Sequence, residues 1–284
     1  MSEEARQRPP GLKRIFDWGA RPASRKLTVA DLKAARGRRR YVQVTANTAE
    51  EAAAAEAAGC DMLICRSRNI EAIRQGSPHL FVTAALGFAE RITGEELLRE
   101  AFFALTHGAD AVLIGRGMGV VGMLAAEDIP VVGHVGMVPR KSTWVGGVRA
   151  VGKTAAEALD LHHRFRRLEE AGAFAVEAEL IAAPVMAELT ARSGLVTISL
   201  GSGGQADVIF QFMSDVCGEE ERSPRHARTY GRLAELHRQI REERVRALTA
   251  FRQDVESGAY PGPGETVDAP AGEVDAFRDR IDPS

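Results

Sequence analysis

The chain has 284 residues, of which 45% are hydrophobic and 27% charged, with a formal net charge of −2. That is apolar material for one large core, and the near-neutral, intermixed charge excludes a nucleic-acid or acidic-membrane partner. Three cysteines, Cys60, Cys65 and Cys217, show no CxxC spacing and read as reduced thiols rather than a disulfide frame or zinc site.

The first 25 residues are polar, with Pro9, Pro10 and Pro22, and read as an N-terminal arm. They contain no apolar h-region, so no signal peptide is expected, and no later run is long enough to span a bilayer. A cytoplasmic location is the expectation. From there short apolar runs alternate with Ala-, Glu- and Arg-rich amphipathic stretches. The runs are Tyr41–Ala46, Asp61–Cys65, Leu80–Leu86, Ala111–Gly115, Pro130–Val135, Phe174–Glu179, Leu195–Gly201 and, more weakly, Asp207–Met213. Between them NTAEEAAAAEAAG opens on a capping residue and ends in Gly59. TGEELLREAFFALTHG pairs Thr93 with Glu96 in a capping box and also ends in glycine. TAAEALDLHHRFRRLEEAG and APVMAELTARSG close in the same way.

Continuous apolar runs separated by helices predict a parallel sheet covered by helices. Eight runs, with no dinucleotide fingerprint after the first, predict a single-domain (β/α)8 TIM barrel over residues 26–262. A charged C-terminal helix around RTYGRLAELHRQIREERVRALTAFRQDVESG belongs to that span, and residues 263–284 read as a loose tail.

A barrel of this kind places its chemistry at the C-terminal ends of the strands. The polar residues there are Arg66, Ser67, Thr83, Arg116, His134, Glu177, Glu179, Ser199, Ser202 and Asp207. His134, beside a Gly-rich loop, is the best single candidate; the alternative is a structural histidine on a backbone carbonyl. Glu179 ends an apolar run and needs a partner or a proton; a salt bridge to a loop arginine is the plain alternative. GSGGQAD, with Ser202, is either an anion cradle or an ordinary turn. His162 and His163 read as solvent-facing, and the seven histidines form no metal-ligand pattern.

Several motifs in one order carry a resemblance. GHVGMVPRKSTWVGG is similar to the GHxGxxPQxxxxxGG segment of the ketopantoate hydroxymethyltransferase family. ISLGSGG resembles its IGIGAG strand and loop, and FQFMSDVCG and RVRALTAFRQDVESGAYPG continue the likeness. The similarity covers most of residues 40–262. It implies a metal-assisted (β/α)8 barrel of the phosphoenolpyruvate mutase and isocitrate lyase superfamily. It further implies a homo-oligomer that transfers the one-carbon unit of methylenetetrahydrofolate to the enolate of a branched 2-oxo acid.

The implied site carries over in part. The family's histidine falls on His134, its general base on Glu179 and its serine on Ser67. The aspartate of the family's GDS sequence is met by Arg66, a second magnesium-binding aspartate by Ala85, and the lysine and acid of KIEGG by Leu113 and Gly115, with Arg116 adjacent. Magnesium requires hard oxygen ligands, and these replacements remove them. The leading expectation is therefore an enzyme that makes or breaks a carbon–carbon bond in a small anionic 2-oxo acid without magnesium. Arg66 and Arg116 hold the anion with Ser67 and Ser202 nearby, Glu179 moves the proton, and His134 bonds the substrate oxygen or orients the loop. The alternatives are a lyase, hydrolase or isomerase on another anionic metabolite, and an inactive metabolite-binding or structural barrel.

Overall fold

Each of the eight apolar runs is a strand of the barrel, with most of its side chains buried. The computed structural model describes residues 11–220 and 222–281. The barrel strands are β3 (Tyr41–Thr45), β4 (Met62–Arg66), β5 (Phe81–Ala85), β6 (Ala111–Ile114), β7 (Val131–Gly136), β8 (Ala175–Glu179), β9 (Val196–Leu200) and β10 (Val208–Gln211). All pair in parallel, and β10 returns to β3 to close the barrel.

The connecting helices stop and start where local chemistry dictates. In α2 (Ala49–Ala57) Thr48 accepts from the Glu51 N–H at 3.2 Å. In α4 (Gly94–Thr106) the expected Thr93–Glu96 capping box is formed in both directions. Helix α6 (Ala155–Glu170) opens on Thr154, and α7 (Ala183–Arg192) carries Pro184 in its first turn, where no N–H is needed. The set is completed by α3 (Ile70–Gly76), α5 (Met118–Ala125) and the short α8 (Met213–Cys217). Helix α1 (Val29–Ala34) closes the N-terminal end, where Leu27 and Leu32 join the barrel core with Tyr41, Phe81 and Val196.

The pairing registers stack the inward side chains in layers drawn from alternate strands. Gln43, Thr83, Val132 and Ile198 form one layer. Ile64, Leu113, Glu177 and Phe210 lie above it, then Thr45, Ala85, His134 and Leu200. Arg66, Gly115 and Glu179 occupy the C-terminal mouth. The lower interior is thus apolar with inserted polar groups, and the mouth is polar.

Two features depart from the sequence expectation. The described part of the arm holds an antiparallel hairpin, β1 (Lys13–Phe16) with β2 (Pro22–Arg25), too short and too charged to show a periodic pattern. The expected tail holds a helix, α10 (Glu273–Ile281), with no buried residue. Residues 1–10 of the arm and 282–284 of the tail lie outside the described residues.

The chain groups into two compact units, one running to Val216 with Ser223–Thr229, the other comprising Cys217–Arg222 with Tyr230 onward. The expected span 26–262 takes in the barrel and runs into the second unit. That unit is built on α9 (Leu233–Ser257), a 25-residue helix with no buried side chain.

Candidate active site

Strands β7 and β8 place their inward residues side by side, His134 opposite Glu177 and Gly136 opposite Glu179. His134 Nε2 lies 3.0 Å from Glu179 Oε2 and 3.8 Å from Glu177 Oε1. The imidazole and the Glu177 side chain are almost wholly buried, while Glu179 is 14% exposed toward the mouth.

The backbone around Glu179 is held from both sides. Gly136 adopts φ +96°, and a Cβ there would meet the Glu179 carbonyl oxygen at 2.1 Å, so only glycine allows β7 to approach so closely. The next amide, Met137 N–H, donates to that carbonyl at 2.9 Å. On the other side Leu180 takes φ +51°, an uncommon left-handed turn for leucine. It is fixed by Leu180 N–H to Leu200 and by Val151 N–H to Leu180, each at 2.9 Å.

Burial opposes charge on His134, but the Glu179 hydrogen bond and the nearby carboxylates outweigh it and raise the imidazole above its ordinary value. Burial pushes the Glu177 carboxyl up, Glu179 adds to this, and His134 opposes it. The contact with Glu179 thus favours a proton on His134, and burial favours one on Glu177 beneath it. His134 Nδ1 is buried and has no hydrogen-bond partner. In an imidazolium that nitrogen is an N–H donor for an incoming oxygen.

The mouth is lined by cations. Arg66 ends β4, points into the same layer as Glu179, and pairs at 3.4 Å with Glu90 across an exposed contact. Arg91 pairs with Glu100 at 3.3 Å. Arg140, where the family pattern quoted above has glutamine, donates to the Gly115 carbonyl at 2.8 Å. Lys141 is lowered by burial and by Arg164 and Arg140. Phe88, from the loop after β5, lies 6.0 Å from the His134 ring, centroid to centroid.

Of the residues singled out in the sequence, the structure brings together His134, Glu179 and Glu177. Arg116 donates to the carbonyls of Phe88, Arg91 and Ile92, so its guanidinium closes the loop after β5. Ser67 is buried and donates to Glu100. Ser202 is buried too; it donates to the Ala178 carbonyl at 2.7 Å and accepts from Ile181 N–H at 2.8 Å. Ser199 faces outward and donates to Gly203 at 2.7 Å. Asp207 lies at the opposite end of the barrel, where it accepts from Gly37 and Thr197. His163 is exposed, but His162 lines an apolar groove of about 320 Å³ between α6 and α7 with Val185 and Leu189.

Sequence reasoning missed Gln43, whose buried amide has no partner, and Arg140; the signals were a polar residue on the inward alternation of YVQVT and an arginine after Pro139.

Magnesium does not fit the residues present. The strand ends that the resemblance assigns to its carboxylates carry Arg66, Ala85 and Gly115, with Arg66 and Ala85 as register partners. A Cβ on Gly115 would meet Phe88 Cε1 at 2.4 Å, so the aromatic ring fills the space of the third acid. Among the described residues no group of three or more His, Cys, Asp or Glu side chains is placed to hold a metal ion. A guanidinium at such a site repels a divalent cation.

Comparison with known proteins places this geometry. The ketopantoate hydroxymethyltransferase family model matches residues 66–263. A 3-methyl-2-oxobutanoate hydroxymethyltransferase of Pyrobaculum islandicum is 31% identical over 262 residues, 84% of this chain and 97% of the relative. That of Pyrococcus furiosus is 34% identical over 206 residues, 71% of this chain and 69% of the relative. Among solved structures, a candidate phosphonomutase of Burkholderia cenocepacia J2315 superposes with TM-score 0.52 at 12% identity, covering 80% of this chain and all (100%) of that one, which speaks to the fold. A 2,3-dimethylmalate lyase of the phosphoenolpyruvate mutase and isocitrate lyase superfamily aligns at TM-score 0.46 and 16% identity, over 89% of this chain and 94% of that one.

Proposed function

The chain belongs to the ketopantoate hydroxymethyltransferase family, and on that premise we propose that it forms or breaks a carbon–carbon bond in a small 2-oxo acid through an enolate, without magnesium. The observation that carries the reading is the 3.0 Å contact between Glu179 and the buried His134 at the C-terminal mouth of the barrel, a contact that favours the charged imidazole. Glu179 removes the proton next to the keto carbon. The electron pair moves onto the keto oxygen, and the imidazolium Nδ1–H donates to it. With methylenetetrahydrofolate as the donor the resemblance implies, the enolate carbon would bond to its methylene carbon; one water would be consumed, both C–N bonds of that carbon would break, the water oxygen would become the new hydroxyl, and the proton on Glu179 and one from water would end on the two folate nitrogens.

Arg66 is the group suited to the substrate carboxylate. It sits in the mouth layer, is 60% exposed, and its present partner Glu90 is equally accessible, so an incoming carboxylate competes for a guanidinium that is not buried in a fixed pair. Arg116 serves the site indirectly by holding the loop that carries Phe88. A guanidinium and an imidazolium supply fixed positive charge where the family uses a divalent ion; they polarise the keto group less strongly, and a slower enolisation follows.

The test is exchange of the C3 proton of 3-methyl-2-oxobutanoate for deuterium, followed by NMR with EDTA or with added magnesium. Equal exchange under both conditions, lost in His134→Ala, is the expected result. Exchange that requires magnesium overturns the metal-independent reading. No exchange with this or other short 2-oxo acids overturns the enolate.

A further inference from the structure

Glu177 stands outside the roles assigned so far. It is inward-facing on β8, 4% exposed, in a layer whose other members are Ile64, Leu113 and Phe210. A carboxyl group among three apolar side chains is costly unless it serves something, and no mouth cation reaches it. Among the described residues its ion-pair contact is with His134 Nε2, at 3.8 Å, the same nitrogen that Glu179 holds at 3.0 Å. Its other oxygen is buried without a partner. Two carboxyl groups thus converge on one N–H, which can donate well to only one of them.

We propose that Glu177 is a positioning residue for the reaction: it competes with Glu179 for His134 Nε2, and only while it keeps its own proton does the imidazole stay aligned on Glu179. This rests on the reading of His134 and Glu179 as the reacting pair. With Glu177 neutral, the three groups carry one positive and one negative charge and the buried site is balanced. When Glu177 ionises, a second anion lies beside the imidazolium and pulls Nε2–H down toward the lower layer. Glu179 then loses its oriented partner, and Nδ1–H turns away from the keto oxygen. The groups that bear on this equilibrium are few. Glu179 lies on the same strand, His134 on β7, and Lys141 in the loop after β7 disfavours the imidazolium through its own charge. The facing residues of β4, β6, β9 and β10 around the Glu177 and His134 layers are Ile64, Leu113, Ile198, Leu200 and Phe210, all apolar; β3 and β5 add Gln43, Thr45, Thr83 and Ala85, none of which titrates, and Arg66 lies one layer higher with Glu179. The fully buried setting favours the proton on Glu177, and the arrangement acts as a gate that closes as pH rises.

The experiment follows the ring nitrogens of His134 by NMR in protein labelled with 15N-histidine, assigned by loss of the signal in His134→Gln. In the wild type the signal should shift in two steps, one for Glu177 and one for the imidazole. In Glu177→Gln the first step should vanish, and the alkaline limb of C3-proton exchange should move up by about one pH unit or more, the range of a strongly coupled pair. Below that limb the variant should exchange within about threefold of the wild type, because glutamine mimics the protonated acid. A single-step titration in the wild type overturns the proposal and needs no variant to fold. So does a Glu177→Gln protein that titrates and exchanges as the wild type does. Two steps that collapse to one in Glu177→Gln, with no exchange of any 2-oxo acid, support the placement of Glu177 and overturn the enolate reading instead.

Discussion

Replacing Glu179 by glutamine separates basicity from size. The amide still reaches His134 Nε2, but it cannot take a proton and carries no charge. A positioned general base contributes about 10²–10⁴-fold, which corresponds to roughly 2.7–5.4 kcal/mol of barrier. Exchange of the C3 proton should therefore fall by at least about a hundredfold. The stability change is smaller. The lost interaction is one charge-assisted hydrogen bond at 3.0 Å to a buried ring, worth about 1.5–3 kcal/mol, or a melting shift of roughly 3–12 °C for a chain of this size. Its pH dependence has a definite sign. His134 is raised in the folded state, so its contribution is fully present below the unfolded value of about 6.5 and is lost as pH rises through the folded value. Glu177 is also raised, and its contribution likewise is present below the ordinary carboxyl range and lost as pH rises. The wild type should thus lose stability from pH 6 toward pH 9, and Glu179→Gln should flatten that decline because it removes the main group that holds the imidazolium. Melting curves at both pH values, beside deuterium exchange, measure the two effects. Exchange retained within a few-fold, or a pH dependence of melting identical to the wild type, refutes the assignment.

Arg66→Ala should raise KM for a 2-oxo acid by about 10–100-fold with melting almost unchanged, since its pair with Glu90 is exposed; an unchanged KM removes Arg66 from the site. Asp110→Ala should destabilise by about 3–5 kcal/mol, because it leaves the buried Arg25 and Arg74 guanidiniums unpaired, and a loss below about 1 kcal/mol by denaturant titration contradicts that. Cys65, whose thiol is pushed up to about 12 by burial, should resist maleimide at pH 8 in the folded protein; labelling within minutes rejects the burial argument. The chain should assemble with copies of itself, since α9 exposes Leu236, Ile240, Leu248, Phe251 and Val255 along one helix and Val42 stands 48% exposed on the barrel wall; sedimentation as a monomer at micromolar concentration rejects this.

The barrel was legible because its signal is redundant. Eight runs such as LFVTAAL and LVTISLG, most of them followed by an amphipathic stretch, leave little alternative to a closed parallel sheet. The β1–β2 hairpin was not legible, since two four-residue strands with mostly exposed side chains carry no period. His134 and Glu179 were singled out where motif and strand end coincide, and the structure sets their side chains 3.0 Å apart. Ser202 could not be read correctly from position alone. A serine after a Gly-rich strand end suits an anion cradle and a backbone clamp equally, and only its bonds to Ala178 and Ile181 separate the two. Glu177 was visible as a residue but not as a competitor for His134, because that relation depends on the register between β7 and β8.

What a carboxylate bonds to separates structural acids from chemical ones in this barrel. At the N-terminal end Asp61, Asp110 and Asp207 each accept an N–H from a neighbouring strand, from Val42, Val82 and Thr197 respectively, all at 2.9 Å. Their other bonds go to Arg39 at Asp61, to Arg25 and Arg74 at Asp110, and to Gly37 N–H and the Thr197 hydroxyl at Asp207, so these carboxylates are tied into the scaffold. Glu179, at the other end, takes no backbone N–H among the described residues; its hydrogen bond is to an imidazole. A carboxylate kept free of the backbone retains a lone pair that can receive a proton and a partner whose charge responds when it does. On the proposed function the three aspartates act on stability and Glu179 on turnover, although all four lie at strand ends. Glu177 belongs with Glu179 by the same rule, since among the described residues its ion-pair contact is with the same histidine, one layer deeper. If Glu179 is the base, one layer of side chains deeper in the barrel is what separates it from a group that would control when it is aligned.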